Sequence, residues 1–443
     1  MTVFASTSRS AADRRTVLRG AGAAFAALIT ATRSAAATPE GKTAGYGPLV
    51  QDPDALLDLP EGFSYRIISR LGDAMDDGGA VPDRADGMGC FTLPGGKLVL
   101  IRNHELKTMH EAGGTLLDGY DRHMAGHVLP GGTTSMILDA ATLKVEWQFR
   151  SLAGTIRNCA GGSTPWGSWL SCEEDVTRAG DKVGQDHGWI FEVPATATRQ
   201  VKAVPLKAMG RFNHEAAAVD PETGYVYMTE DRDDGLLYRF VPEMPGRLAE
   251  GGRLQALALP NGAAADSRNW SGPDMAVGSW HGVHWVDLND VESPKDDLRL
   301  RGAKAGALAF ARGEGIHMGH GELYFCCTSG GAKKFGQVFR LTLGESGERL
   351  QLFFESSGPD EFNYGDNLTV APNGHLIVCE DQYTDVVDNH LRGINPAGVA
   401  YPLARLRRQT ELAGACFSPD GKILFVNAYS PAMTLAITGP WLA

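Results

Sequence analysis

One short unit recurs six times along this chain of 443 residues. Each copy begins with a glycine-containing turn, continues as a run of aliphatic, β-branched and aromatic residues, and ends in polar residues. The copies lie at residues 94–105, 165–174, 221–231, 319–328, 372–381 and 419–427. Pro-x-Gly and Asn-Gly turns before such runs are typical of β-hairpins. The chain must therefore form the same hairpin six times, which points to a repeat architecture.

A further strand follows several of these hairpins. Glycine-led apolar runs at 188–193, 235–240 and 336–341 extend the hairpins into meanders. Six meanders give about 65 residues each, compared with about 40–50 for a propeller blade, so the loops would carry insertions. We therefore predict an all-β fold, a six-bladed β-propeller over residues 38–443. Two stacked β-sandwiches are the alternative, but they do not explain the repeat.

The composition and the absence of certain motifs argue against several classes of function. The chain has 41 Lys and Arg residues against 53 Asp and Glu residues, a formal net charge of −12. A nucleic-acid partner is not expected, because such a chain lacks the cationic surface that binds phosphate backbones. The sequence also contains no Walker A loop, no G-x-G-x-x-G and no G-x-S-x-G motif, which argues against nucleotide-binding and α/β-hydrolase folds.

The N-terminus is typical of an export signal. Arg14 and Arg15 precede a short Gly/Ala-rich apolar run, and Ala35 to Ala37 form a small-residue cleavage site. The run is about ten residues, whereas a membrane span needs roughly 20. We predict a twin-arginine signal over residues 1–37 that engages the twin-arginine export machinery. The mature protein would be periplasmic or secreted, without stable membrane insertion, and we expect it to be a monomer.

Polar residues also recur just before each hairpin turn. These second clusters contain Asp86, Asn158 and Cys159, Asn213 to Glu215, Glu314, Asp366 and Asn367, and Glu411. In a propeller the ends of the innermost strands converge on one mouth of the central channel. Carboxylates gathered there would repel one another, so we predict that metal ions hold them together.

The seven cysteines are an odd number, so at least one is not in an intramolecular disulfide. Most lie within apolar runs and are expected to be buried thiols. Cys172 differs because it adjoins Glu173 and Glu174 at a strand end. A thiolate among carboxylates would admit a transition metal, although the spacing alone leaves a buried structural thiol equally open.

Several longer motifs resemble those of the alkaline phosphatase PhoX family. They lie at residues 158–174, 210–215, 311–315, 365–368 and 436–441. The resemblance extends from about residue 52 to the C-terminus and includes the export signal. It implies an exported six-bladed propeller that hydrolyses small phosphomonoesters at a cluster of Fe³⁺ and Ca²⁺ ions in the central channel.

Carried over motif by motif, the resemblance also implies roles for individual residues. Cys172, Glu215 and Glu314 would be iron ligands. The candidate calcium ligands are Glu174, Glu230, Asp366, Asn367 and Glu380. Arg312 would bind the substrate phosphate, for which a guanidinium offers a two-pronged fork.

Two other functions fit the same residues. A calcium-dependent propeller lactonase or esterase would use Glu314, Asp366 and Asn367 equally well, because one calcium ion can polarise a carbonyl. Such an enzyme would lack iron and would tolerate Cys172→Ser. A non-enzymatic propeller would instead hold its metal as a structural plug, so that chelation would lower stability without removing any activity.

Overall fold

A computed structural model describes residues 44–180, 182–260, 266–344, 347–382 and 385–441. The predicted signal at residues 1–37 lies outside this range. The described chain forms a six-bladed β-propeller, as the repeat predicts. Its helices are all too short or too polar to span a bilayer.

Three strands precede the first blade and join sheets formed by the end of the chain. They are β1 (Leu49–Val50), β2 (Leu57–Pro60) and β3 (Ser64–Arg70). Blade 1 then follows as four consecutive antiparallel strands: β4 (Ala85–Leu93), β5 (Lys97–His104), β6 (Gly131–Asp139) and β7 (Val145–Thr155). Blade 2 has three: β8 (Asn158–Ser163), β9 (Ser168–Glu173) and β10 (Ile190–Pro194).

The next two blades share the middle of the chain. Blade 3 begins with β11 (His214–Val219), β12 (Val226–Glu230), β13 (Gly235–Pro242) and β14 (Gly252–Ala258), with short 3₁₀ helices at Lys207–Met209 and Leu248–Glu250. The chain continues through β15 (Trp280–Gly282), β16 (His284–Leu288), helix α1 (Leu298–Lys304) and β17 (Ala309–Phe310). Strand β16 pairs with β14 and β17 pairs with β13, so both extend blade 3.

The remaining strands complete the ring. Blade 4 contains β18 (Gly313–Gly319), β19 (Glu322–Cys327), β20 (Gln337–Thr342) and β21 (Arg349–Glu355), with β15 at its outer edge. Blade 5 contains β22 (Gly365–Val370), β23 (Leu376–Glu380), β24 (His390–Ile394) and β25 (Ala400–Leu406), extended by β2 and β1. Blade 6 contains β26 (Leu412–Phe417), β27 (Ile423–Ala428) and β28 (Met433–Thr438), and β3 supplies its outer strand.

Apolar packing between blades closes the fold. Six buried clusters lie one at each junction between neighbouring blades. Where β3 pairs with β28, the start of the described chain is hydrogen-bonded to its end. Unfolding any one blade would therefore expose the apolar faces of both neighbours, which makes the ring cooperative.

The innermost strands set the geometry of the channel. Strands β4, β8, β11, β18, β22 and β26 contact one another in turn around the axis. Each has a register irregularity after its first one or two residues. Such bulges redirect side chains and are common beside functional sites. Here they occur at equivalent positions in all six blades, so the starts of the six strands open toward one end of the channel.

Candidate metal centre

The mouth at that end of the channel leads into a polar cavity. Its volume is about 450 Å³, and all six blades or the loops preceding them contribute to its wall. Nine carboxylic acids line it: Asp86, Glu105, Glu174, Glu215, Asp231, Glu314, Asp366, Asp381 and Glu411. The four cationic residues in the lining are Arg84, Lys107, Arg157 and Arg312. Acids therefore outnumber cations by more than two to one in a confined space.

The inner ring of ligating groups comes from the bulged strand starts. The second residue of five inner strands faces the cavity; these residues are Asp86, Cys159, Glu215, Glu314 and Asp366. In blade 6 the equivalent residue is Ala413, and the carboxylate comes instead from Glu411, just before β26. The repeated bulge thus places one potential ligand side chain from each of five blades around the axis, and Glu411 completes the ring in blade 6.

An outer ring comes from the second strand of four blades. Glu105, Glu174, Asp231 and Asp381 each directly follow the strand that pairs with the inner one. In blade 6 the equivalent position is Tyr429, whose hydroxyl donates to Glu105. The two rings together surround the cavity.

Within these rings, three groups of side chains bring ligand atoms within 4.8 Å of one another. They are Cys159 with Glu174 and Glu215, Glu215 with Glu314 and Asp366, and Asp366 with Asp381 and Glu411. Glu215 belongs to the first two groups and Asp366 to the last two. The three groups therefore form one continuous row of potential ligands across the channel.

Protonation reflects the crowding of these acids. Burial, and then the charges of Glu174, Asp366 and other neighbouring acids, raise the pKa of Glu215 well above its usual value. Burial and the charge of Asp231 do the same to Glu314, and burial raises the pKa of Asp366 to about 7. Cations in the cavity would reverse this effect, because a nearby positive charge favours the carboxylate form.

The hydrogen bonding of the acids also indicates a place for a cation. Glu215 Oε1 and Asp86 Oδ1 are buried, and neither has a hydrogen-bond partner in the described part of the chain. Buried polar atoms are normally paired, so an unpaired oxygen needs an explanation. Both oxygens face the cavity lining, where a cation would satisfy them.

Two of the three arginines in the lining are held by acids of the outer ring. Arg157 bridges two acids, with its Nε 2.7 Å from Glu105 and its Nη2 2.5 Å from Glu174. Arg312 forms a two-pronged pair with Asp231, at 2.7 Å and 2.9 Å, and its Nη2 also lies 3.3 Å from Glu314. Arg84, Arg157 and Arg312 each immediately precede an inner strand and have φ between 48° and 56°. This left-handed turn is uncommon for non-glycine residues and recurs here at equivalent positions.

Four of the residues that the family resemblance implies to be metal ligands meet in this cavity. Glu174, Glu215, Glu314 and Asp366 all belong to the three groups, and Arg312 lies beside them. Asn367 is next to them but turns away: its Nδ2 donates to Asp366 and its Oδ1 accepts from the backbone of Gly414.

The other three assigned residues lie elsewhere. Cys172 is fully buried in the apolar cluster between blades 2 and 3. Glu230 accepts from the Tyr238 hydroxyl at 2.7 Å, and Glu380 accepts from Arg392 Nε at 2.7 Å. These three side chains do not line the cavity. Their contacts are those of residues that hold a blade together.

The cavity also contains residues that were not assigned. Three of them belong to the polar clusters before the hairpin turns, so the sequence pattern could have identified them as site residues: Cys159, Asp86 and Glu411. Asp231 and Asp381 follow Glu230 and Glu380 directly, one residue beyond the assigned position. Cys159 is the thiol that the structure brings to the acids, with its Sγ 3.5 Å from Asp86 Oδ2.

A buried triad of His187, Glu173 and Asp121 holds the strand end next to Glu174. His187 is fully buried, with Nδ1 2.6 Å from Glu173 and Nε2 3.1 Å from Asp121. Burial alone would lower the pKa of His187, but the charge of Glu173 and the hydrogen bonds to both carboxylates raise it to about 9. Glu173 also accepts from the backbone of Ile156 and Gly188. The charged imidazole therefore joins the strand end that precedes Glu174 to two loops.

We expect His187→Ala to lower the free energy of unfolding by about 3–5 kcal/mol, because it leaves two buried carboxylates without their cation. Since folding raises the pKa of His187 from 6.5 to about 9, its contribution is complete below pH 6.5 and is lost as pH rises through 9. Urea unfolding across this pH range measures both effects. The exposed His127→Ala is the control, and an equal loss in both variants would contradict this role.

Sequence and structure comparisons place the chain among known proteins. The family model for alkaline phosphatase PhoX matches residues 44–139 and 131–432. The structure of Pseudomonas fluorescens PhoX, in complex with the transition-state analogue vanadate, aligns with a TM-score of 0.67. It is 18% identical, over 87% of this chain and 96% of that chain. A gluconolactonase from Xanthomonas campestris aligns with a TM-score of 0.42 at 14% identity, over 90% of this chain and 99% of its own. No curated protein sequence matches this chain.

Proposed function

The chain belongs to the alkaline phosphatase PhoX family, and on that premise we propose that it hydrolyses phosphomonoesters in the acidic cavity of its channel with the help of iron and calcium ions. The observation that supports this most directly is the row of three ligand groups that share Glu215 and Asp366. Glu215 and Asp366 would each contribute to two neighbouring metal sites, held in place by rigid strand ends.

The donor atoms differ along the row, and this suggests where each metal would bind. Cys159 with Glu174 and Glu215 combines a thiolate with carboxylates, a set suited to Fe³⁺. Asp366 with Asp381 and Glu411 offers only oxygen, which suits Ca²⁺. We therefore assign the thiolate ligand to Cys159 in place of Cys172, and we add Asp381 and Glu411 to the calcium ligands in place of Glu230 and Glu380.

Cations held by these acids would neutralise charge on the phosphoryl oxygens and activate the attacking water. The protein supplies the positions of the ligands, because each comes from a bulged inner strand or from the end of the strand paired with it. It also supplies burial: Glu215 is 1% exposed and Glu314 is 6% exposed. Electrostatic interactions are stronger in such a water-poor setting.

Arg312 is the residue that we propose to bind the phosphoryl group. Its guanidinium is fixed by Asp231 on one side and lies next to Glu314 on the other. A guanidinium held in this way is oriented before substrate binds, so less rotamer entropy is lost on binding. A guanidinium is also always charged, which suits it to bind a phosphoryl group.

We also propose that the protein is exported through the twin-arginine pathway and works as a monomer in the periplasm or outside the cell. The support for export is the sequence of residues 1–37, with its paired arginines and small-residue cleavage site. Twin-arginine export carries folded proteins, which suits a fold whose ligands assemble only when all six blades are in place.

The test is metal analysis and activity on one sample purified after native export. We expect iron and calcium to copurify, p-nitrophenyl phosphate to be hydrolysed, and EDTA treatment to remove the activity until both metals are restored. Calcium without iron, together with hydrolysis of lactones but not of the phosphomonoester, would overturn the proposal. Bound metal without turnover of any of these substrates would do so as well.

A further inference from the structure

Four cationic residues line the metal cavity, but they are not used in the same way. Arg157 and Arg312 are paired with acids of the outer ring at 2.5–2.9 Å. Arg84 and Lys107 line the same cavity from blade 1, and neither forms an ion pair with any described residue. Unlike Arg157 and Arg312, these two cations therefore reach the cavity wall without a direct carboxylate contact.

The acids nearest to Arg84 are already engaged by other donors. Glu105 receives Arg157 on one oxygen and the Tyr429 hydroxyl on the other. Asp83 receives the Ser430 hydroxyl at 2.7 Å and the backbone N–H of Ala432 at 2.8 Å. Arg84 Nη1 donates to the neutral hydroxyl of Tyr429 at 2.8 Å. That contact orients the guanidinium, and the charges of Glu105 and Asp83 act on it without a direct ion pair.

Lys107 lies next to Arg84 in this region, and His110 shows that both charges act there. The loop after β5 turns back on itself, so that the backbone N–H of Lys107 donates to His110 Nδ1 at 3.1 Å. Burial, followed by the charges of Arg84 and Lys107, lowers the pKa of His110. The two cations therefore act on the same small region of the cavity mouth, where Lys107 is exposed and Arg84 is half-buried.

We propose that Arg84 and Lys107 form a second anion-binding subsite, which takes the carboxylate of a small phosphorylated hydroxy acid while its phosphoryl group occupies the metal centre. This inference rests on the proposed function and deepens it by naming a substrate class. Arg84 lies two residues before Asp86, which faces the same cavity. Because Arg84 and Arg312 line the same cavity, one small molecule with two anionic groups would reach both, and the smallest such class is an acid phosphorylated on the carbon next to its carboxylate.

The size of the cavity and the two cations at its mouth fit this class. A volume of about 450 Å³ admits a small molecule with both anionic groups. Charge-assisted hydrogen bonds to a carboxylate are stronger than those to a hydroxyl. A substrate with a carboxylate at this position should therefore bind better than the same molecule with a hydroxymethyl group in its place.

The experiment compares 2-phosphoglycerate with glycerol 2-phosphate, which differ only in that group. We expect kcat/KM to be about tenfold higher for 2-phosphoglycerate, the value of one partly exposed charge-assisted contact. In Arg84→Gln/Lys107→Gln the ratio of the two kcat/KM values should fall to about one. Lys202→Gln, an exposed lysine that is not in the cavity lining, is the matched control and should keep the tenfold ratio.

A binding measurement separates this role from a structural one. 3-Phosphonopropionate should inhibit p-nitrophenyl phosphate hydrolysis about tenfold more strongly than propylphosphonate, and the double variant should lose this difference. If Arg84 only orients Tyr429, the variant will slow both substrates equally and leave both ratios unchanged, which overturns the subsite. Equal kcat/KM for 2-phosphoglycerate and glycerol 2-phosphate in the unsubstituted enzyme also overturns it. Hydrolysis of no phosphomonoester would instead refute the proposed function.

Discussion

Cys159→Ser is expected to lower kcat/KM for p-nitrophenyl phosphate by about 100-fold or more, and to reduce the iron content of the purified protein. Cys159 is 8% exposed and lies with Glu174 and Glu215 within 4.8 Å. A serine hydroxyl has nearly the same shape but does not ionise at neutral pH, so it cannot replace a thiolate at a ferric ion. Elemental analysis of the exported protein, with steady-state kinetics on the same sample, measures both effects.

The matched control is Cys172→Ala, in a second buried thiol that follows Cys159 along the same blade. Cys172 is surrounded by apolar residues between blades 2 and 3. We expect this variant to lose about 1–2 kcal/mol of stability to the small cavity it leaves, with unchanged iron per mole of folded protein. Loss of iron in Cys172→Ala together with normal iron in Cys159→Ser would refute the assignment.

The number of blades could be predicted because the hairpin is a local structure. A turn and a β-branched run are encoded within a few residues, and six copies of them specify six blades. The closure of the ring could not be predicted in this way. Strand β3 resembles any other strand, and its partner β28 lies more than 350 residues away. Nothing local to residues 64–70 distinguishes blade 6 from blade 1 as the sheet that it joins.

The site residues depended on single-residue register. Glu173, Glu230 and Glu380 end the second strands of their blades and point into the blade. The residues that face the cavity are Glu174, Asp231 and Asp381, one position further on. Since side chains alternate between faces along a strand, an error of one residue exchanges an acid buried in the blade for one that faces the cavity.

The choice between the two cysteines depended on the bulge. Cys159 is the second residue of an inner strand, where the register irregularity turns its side chain toward the channel. Cys172 is one residue before the end of the paired strand and packs against the next blade. A bulge leaves no distinct mark in a single sequence. Its recurrence in six blades is visible only after the strands are paired.

Glu215 gives the second large effect, because it is shared by two of the three ligand groups. We expect Glu215→Gln to lower kcat/KM by about 100-fold or more and to reduce the content of both metals. The matched control is Glu230→Gln, in the neighbouring strand of the same blade. Burial raises the pKa of Glu230 to about 7, and its contact is with Tyr238, so a neutral amide should be tolerated with normal metal content.

The stability of the metal-free protein provides a sharper test, because the sign of the effect should reverse. With metal bound, Glu215→Gln removes a ligand and should lower the urea midpoint. After EDTA treatment at pH 8, the same substitution removes a carboxyl group whose pKa is raised in the folded state by burial and by the charges of Glu174, Asp366 and Asp86. It should therefore raise the free energy of unfolding by about 1 kcal/mol or more. Glu230→Gln should show no such reversal. If Glu215→Gln destabilised both forms equally, Glu215 would have a structural role only. The proposed continuous row of metal ligands across the channel would then be wrong.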